Sequence, residues 1–140
     1  MFGSNQPPVL YSEFQRIEQA KIVNEFVKSI LALDPHANVI VLGDLNDFQF
    51  SKPVTTLAGG ELTNLIDSLP VNERYSYVYD GNSQVLDQIL VSQAVLGSAE
   101  VDVVHVNAEF NSAPSDHDPV LARLSFRHQY LMPYIAQNAQ

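Results

Sequence analysis

The run Val39-Ile40-Val41-Leu42 is continuously apolar and has turn residues on both sides. Such a run predicts a strand that is buried on both faces. Before it, from residue 11 to about residue 33, apolar residues recur at three- and four-residue steps, which predicts a helix. Ser12 is a candidate cap for this helix, and Asp34-Pro35 ends it. A long helix followed by a doubly covered strand predicts an α/β or α+β layered domain.

The rest of the chain predicts a meander of strands. Residues 51–57 predict a short helix with proline in its first turn. Residues 75–79 predict a strand that turns at 80–83 and returns through 84–91 as a hairpin. The remaining predictions are an ambiguous segment at 62–69, a helical turn at 92–96, a strand at 101–106, a polar loop at 107–114 and a last strand at 119–126. The order does not alternate as in a Rossmann fold, and the sequence has no glycine-rich phosphate loop.

Length and charge narrow the classes of function. The 140 residues fit one domain, which we place at 11–126, with a linker or cloning-derived end at 1–10 and a tail at 127–140. With 0 cysteines, disulfides and thiolate chemistry are excluded. No apolar run is long enough to span a bilayer. The net charge of -9 disfavours a passive nucleic-acid binder but not a metal-dependent phosphodiesterase, whose cation would invert the local field.

The tripeptide Ser115-Asp116-His117 directly precedes the last predicted strand. A carboxylate and an imidazole are therefore expected together at a strand edge. Histidine can take and return protons near neutral pH. The neighbouring Asp116 can hold a metal or position a water.

The segment 43–47, Gly-Asp-Leu-Asn-Asp, follows the buried strand, where ligands gather in α/β sheets. In an extended segment Asp44 and Asn46 would point to the same side. A plain turn and a functional site are about equally good interpretations, because Asp and Asn are also turn residues. A calcium loop of the EF-hand type fails at Phe48 and Gln49.

Asp87 places a carboxylate inside the otherwise apolar segment 86–92. The position is costly unless the carboxylate is paired, so Asp87 either orients a histidine from another strand or faces outward on an edge strand. His36 and His128 are assigned to a turn and to the tail, and His105 to a strand face shared with Val101 and Val103. The tyrosines at 75, 77 and 79 favour strand packing over a base-stacking platform.

In this order, the segments GDLND, LDQILVS and SDHDPV resemble the endonuclease/exonuclease/phosphatase superfamily over roughly residues 11–126. Residues 16–20 and 73–79 look most similar to extracellular bacterial nucleases. The resemblance implies a DNase I-like four-layer α/β/β/α sandwich, an extracellular or periplasmic location, and metal-dependent hydrolysis of DNA or RNA. The implied cofactor is Mg²⁺, or alternatively Mn²⁺ or Ca²⁺.

The resemblance also implies a role for each candidate residue. Asp44 would bind or polarise the attacking water, and Asn46 would contact the scissile phosphate. Asp87 would accept a hydrogen bond from His117 and fix its tautomer. His117 would act as a general base or as a donor to phosphate, and Asp116, together with Asp44, would help to hold the divalent ion.

The chain matches only the C-terminal half of the superfamily fold, so a fragment of a larger protein is expected. The isolated fragment is expected to have little or no nuclease activity. Its sheet face, which should bury against the missing N-terminal half, is expected to drive self-association. Two alternatives are a half of a phosphatase or sphingomyelinase of the same fold, and a non-catalytic binding domain that retains the fold.

Overall fold

The structure is a computed structural model, and it describes residues 11–125. The helices in this part of the chain are α1 (Glu13–Leu33), α2 (Lys52–Ala58) and the short α3 (Gln93–Leu96). The strands are β1 (Ile40–Asp44), β2 (Leu62–Asn64), β3 (Tyr77–Tyr79), β4 (Asn82–Gln84), β5 (Asp87–Ser92), β6 (Ala99–Val103) and β7 (Val120–Leu124). Two 3₁₀ turns, Leu65–Ser68 and Val71–Glu73, connect β2 to β3. The terminal segments predicted as linker and tail, and Phe126 of the last predicted strand, lie outside the described residues.

The main sheet has the order β1-β5-β2, and both pairings are antiparallel. Strand β5 is central, and its side chains alternate between two apolar clusters. Leu90 packs in the cluster that contains Ala20 and Val27 of α1 and Leu57 of α2. The two residues that flank Leu90 face the opposite way.

Those flanking residues, Ile89 and Val91, lie in a second cluster with side chains of β6 and β7. The antiparallel β6–β7 pair therefore covers β5 on the face of the sheet opposite to the helices, whereas Leu42 of β1 on the same face is exposed. The layers run from helices through the main sheet to a second pair of strands. This confirms the prediction of a layered α/β domain.

Two predictions about strands were wrong. Strand β1 lies at an edge and is not buried on both faces, since Leu42 is 66% exposed; the strand also continues past Gly43 to Asp44. The predicted return strand at 84–91 is divided between β4, which forms a small hairpin with β3, and β5. The partner of β5 is β1, which is far away in sequence, and a local pattern does not reveal such a partner.

The predicted helices are present, but the capping of α1 differs from the prediction. The Ser12 hydroxyl does not cap the backbone of α1 and instead accepts a hydrogen bond from Arg16. In α2, Ser51 Oγ accepts from the backbone of Val54, and proline lies in the first turn as predicted. No helix within residues 11–125 is both long and apolar enough to cross a membrane.

Candidate active site

The structure brings Asp87 and His117 together from distant parts of the sequence. Asp87 is the first residue of β5 and lies on the strand face of Ile89 and Val91, where β7 packs. His117 lies three residues before β7, so the chain entering that strand passes over Asp87. His117 Nδ1 is 2.7 Å from Asp87 Oδ2. Asp87 is therefore paired, and it begins the central strand of the main sheet instead of facing outward on an edge strand.

The surroundings of His117 favour its protonated form. Partial burial lowers the pKa of the imidazole, but the hydrogen bond to Asp87 and the charges of Asp87, Asp44 and Asp116 outweigh it and raise the pKa above 6.5. With Nδ1 facing Asp87, a neutral His117 that donates from Nδ1 leaves Nε2 as an acceptor. Tyr77 packs against the ring, with centroids 4.9 Å apart.

Asp44 lies beside Asp87. The two are direct partners in the antiparallel register of β1 and β5, which places their side chains on the same face of the sheet. Like charges in this position repel each other, so each carboxylate needs a balancing donor or cation. His117 supplies one for Asp87, and Asn46 donates to Asp44 from its backbone and its side-chain amide at 2.9 and 3.1 Å.

The expected extended conformation between Asp44 and Asn46 was wrong. Asn46 has a φ of 50°, in the left-handed region that Asn tolerates better than most residues. The chain therefore turns back on itself, and the Asn46 amide donates a hydrogen bond to the Asp44 carboxylate. In an extended segment the two side chains would have pointed in parallel to the same side. The turn and the candidate site are the same structure here, so the two interpretations of this segment do not exclude each other.

Asp116 is exposed and close enough to His117 to influence it electrostatically. Asp44 and Asp116 offer hard oxygen ligands of the kind that Mg²⁺, Mn²⁺ and Ca²⁺ prefer. Among residues 11–125, however, no group of three or more His, Cys, Asp or Glu side chains is arranged to hold a metal ion.

Ser76 contacts the central pair and was missed in the sequence. Its hydroxyl donates to Asp87 Oδ2 at 2.5 Å, and its carbonyl accepts from the backbone of Asp118 at 2.7 Å. The side chain is buried, with 1% of the residue exposed. The sequence contained one signal for it. Ser76 is a small hydroxyl residue between two tyrosines of a predicted strand, so its side chain points to the face opposite to theirs.

Asp118 was also missed, and it forms a second pair with His105. Its side chain is fully buried, and Oδ2 lies 2.9 Å from His105 Nδ1. Oδ1 accepts from the backbone of residues 106, 107 and 108 at 2.7–3.0 Å. Burial raises the pKa of Asp118, but these hydrogen bonds outweigh it and hold the pKa below the usual value.

The assignment of His105 to a strand face was wrong, because β6 ends at Val103 and the chain then bends around Asp118. In the described part of the chain, Nε2 of His105 is buried without a hydrogen-bond partner, although Glu73 Oε2 lies 3.4 Å away. The neighbouring Asn107 side chain donates to the His117 carbonyl at 2.8 Å. The Asp118 network therefore fixes the loop that holds the His117 backbone.

Two solved structures are similar to this one. A truncated TDP2 from Caenorhabditis elegans aligns with a TM-score of 0.64 and 18% identity over 83% of this chain and 50% of that one. An endonuclease/exonuclease/phosphatase family protein from Bacteroides thetaiotaomicron aligns with a TM-score of 0.59 and 21% identity over 86% of this chain and 48% of that one. The chain thus spans about half the length of each. These likenesses support the predicted fold, as part of a DNase I-like sandwich.

A comparison with curated proteins found no match. A family model, described as the Endonuclease/Exonuclease/phosphatase family, matches residues 5–119. This match covers the turn at Asp44, the Asp87–His117 pair and Asp116. The chain therefore belongs to the endonuclease/exonuclease/phosphatase family.

Proposed function

We propose that this chain is part of a metal-dependent phosphodiesterase, and specifically a nuclease that hydrolyses DNA or RNA. The observation that carries the proposal is the Asp87–His117 contact of 2.7 Å beside Asp44. Membership of a family of phosphodiester hydrolases supports the reaction type. A non-catalytic binding domain would not need a carboxylate-oriented imidazole next to a second carboxylate.

The chemistry follows from the proton positions. Asp87 holds His117 so that Nε2 is free to exchange a proton with the reacting groups. Neutral His117 takes a proton from the attacking water as the water oxygen bonds to phosphorus. The bond to the leaving oxygen breaks, and this oxygen departs with the electron pair and takes a proton from solvent. Protonated His117 instead donates a hydrogen bond to a phosphate oxygen and stabilises its charge. Asn46 can turn its amide from Asp44 to the phosphate.

Asp44 and Asp116 are the proposed protein ligands of a divalent cation, which we assign as Mg²⁺. The cation would neutralise phosphate charge. Because residues 11–125 contain no three-membered acidic or histidine cluster that could hold a metal, we infer that the 140-residue chain alone binds the ion weakly and hydrolyses slowly. EDTA is expected to remove whatever hydrolysis is observed.

The test is hydrolysis of plasmid DNA and of bis(p-nitrophenyl) phosphate with Mg²⁺ or Mn²⁺. The assay uses the 140-residue chain and the longest polypeptide that its gene encodes. His117→Ala is expected to lower the rate by about 10²–10⁴-fold, the usual contribution of general acid–base catalysis. His36→Ala is the matched control, because His36 is exposed in a turn.

Activity that persists in His117→Ala with circular dichroism unchanged would reject the assignment of His117. Hydrolysis of bis(p-nitrophenyl) phosphate without cleavage of DNA or RNA would support the assignment as a phosphodiesterase and reject the assignment as a nuclease. Rapid cleavage by the 140-residue chain alone would contradict the inference of a weak ion site.

A further inference from the structure

Four aromatic side chains line one open cleft next to the candidate active site. The cleft has a volume of about 760 Å³. We call it the aromatic cleft, and its aromatic members are Phe48, Phe50, Tyr77 and Tyr79. Single exposed aromatic residues are ordinary on a protein surface, but several around one cleft indicate a binding site.

The rings are arranged in two nearly parallel pairs. The Phe48 and Phe50 rings have centroids 5.3 Å apart and planes at 8°, and those of Tyr77 and Tyr79 have centroids 6.4 Å apart and planes at 11°. Phe50 is 72% exposed and Tyr79 is 52% exposed. Each pair therefore presents flat apolar surface to solvent, which is suited to stacking of another flat ring.

The aromatic cleft adjoins the residues of the proposed reaction. Tyr77 lines it and also packs against the His117 ring, and Asn46, which holds Asp44, lines it as well. The cleft therefore begins at a residue that packs against the His117 ring. The sequence had favoured strand packing for the tyrosines, but the structure places two of them on the wall of this cleft.

Charge determines which ligand fits. Lys52 and Glu13 both line the aromatic cleft without an ion-pair partner among the described residues, and the Arg16 side chain is paired with Asp47, so the charges of the cleft balance. With a net charge of -9, the chain attracts a polyanion poorly. Stacking must therefore supply most of the affinity. Duplex bases are already stacked on one another, so only unpaired bases can offer their faces.

We propose that the aromatic cleft binds unpaired bases of single-stranded DNA or RNA next to the scissile phosphate. This inference rests on the proposed function, because only a phosphodiesterase has a scissile phosphate. The binding test below requires no hydrolysis and is therefore independent of that function. The phosphodiesterase would then prefer single-stranded or end-unpaired substrates over duplexes.

The test is a nuclear magnetic resonance titration of the ¹⁵N-labelled 140-residue chain in EDTA, so that the probe is not cut. The probes are a thymidine pentanucleotide, an abasic pentamer with the same phosphates, and a DNA hairpin whose long stem is fully paired. The thymidine probe is expected to bind at least about fivefold more tightly than the other two, the low end of the range for stacking of one base.

Phe50→Leu and Tyr79→Leu, which change separate elements of the cleft, are each expected to weaken thymidine binding by at least about fivefold. Phe110→Leu is the matched control, because Phe110 is 58% exposed but does not line the cleft. Equal binding of the thymidine and abasic probes, equal effects of the cleft and control variants, or no binding at all would overturn the proposal.

The outcomes separate this inference from the proposed function. Thymidine binding that depends on Phe50, in a protein that hydrolyses no phosphodiester, would support the stacking site and reject the nuclease. Hydrolysis that depends on His117, with equal binding of the thymidine and abasic probes, would support the phosphodiesterase and reject the stacking site.

Discussion

Ser76 and Asp87 are joined by a hydrogen bond of 2.5 Å, and it ends on the Asp87 oxygen that faces His117. The shared oxygen accepts from a hydroxyl and from an imidazole at once. The buried hydroxyl thus restricts the rotation of the carboxylate and orients it toward His117. The orientation of His117 therefore depends on Ser76, whose hydroxyl acts through Asp87.

Replacement of Ser76 by Ala is expected to lower the free energy of unfolding by about 1.5–3 kcal/mol, the usual range for a hydrogen bond to a charged group. Urea denaturation measures this loss. Ser83→Ala in β4 is the control, since Ser83 is an exposed serine, and it should change stability by less than about 0.5 kcal/mol. Equal effects of the two substitutions would show that the hydroxyl of Ser76 does not stabilise Asp87.

Asp118 and Asp116 form a matched pair of carboxylates on one short segment. Asp118→Ala removes a fully buried acceptor and leaves three backbone donors unsatisfied, so it should destabilise the fold by about 3–5 kcal/mol. Asp116 is exposed, and Asp116→Ala should change stability by less than about 0.5 kcal/mol. Thermal and urea unfolding of both variants test the difference, and similar losses would contradict it.

The free energy of unfolding should depend on pH through His117. Its pKa is raised above 6.5 in the folded state, so the stabilisation by protonated His117 is complete below about pH 6.5 and is lost as the pH rises through the folded-state value. The difference in stability between the wild type and His117→Gln should therefore shrink as the pH rises. A difference between the wild type and His117→Gln that stays constant or grows as the pH rises would contradict this prediction.

Self-association is expected to involve exposed apolar side chains of the strands. Leu42 in β1 is 66% exposed and Leu121 in β7 is 54% exposed. We propose that these positions contact a second copy of the chain, so Leu42→Lys combined with Leu121→Lys should shift the protein toward the monomer in light scattering. Leu33→Lys is the control at a 90% exposed helical position. A wild-type chain that is monomeric at high concentration would reject the proposal.

The predictable parts of the fold are those that depend on neighbours in sequence. Helix α1 and the capped start of α2 follow from apolar spacing and from Ser51 before a proline. The pairing of β5 with β1 does not follow from the sequence, because two runs of apolar residues can pair in many ways. The tight turn at Asp80-Gly81, with φ values of 48° and 76°, closes a hairpin much shorter than the predicted one.

The residues of the candidate active site also fall into those that the sequence predicts and those that it does not. Asp44, Asp87 and His117 could be chosen because their segments resemble those of a known family. Ser76 could not, since its importance comes from burial and from a hydrogen bond to a distant residue. Asp118 lies in the segment SDHDPV, but its role depends on its burial and on hydrogen bonds that only the fold brings together. The left-handed backbone of Asn46 also has no unambiguous local signal, because Asn occupies both turns and extended segments.

The alternation of side chains along β5 links the candidate active site to the packing of the core. Asp87 and Leu90 are three positions apart in β5, so one faces His117 while the other faces the helices. Deletion of a single residue between them would turn Leu90 toward the wrong layer whenever Asp87 stayed in place. Such a change would exchange the side chains of β5 between the two apolar clusters and misfit both, so we expect a deletion within β5 to destabilise the fold more than a deletion in the flanking loops.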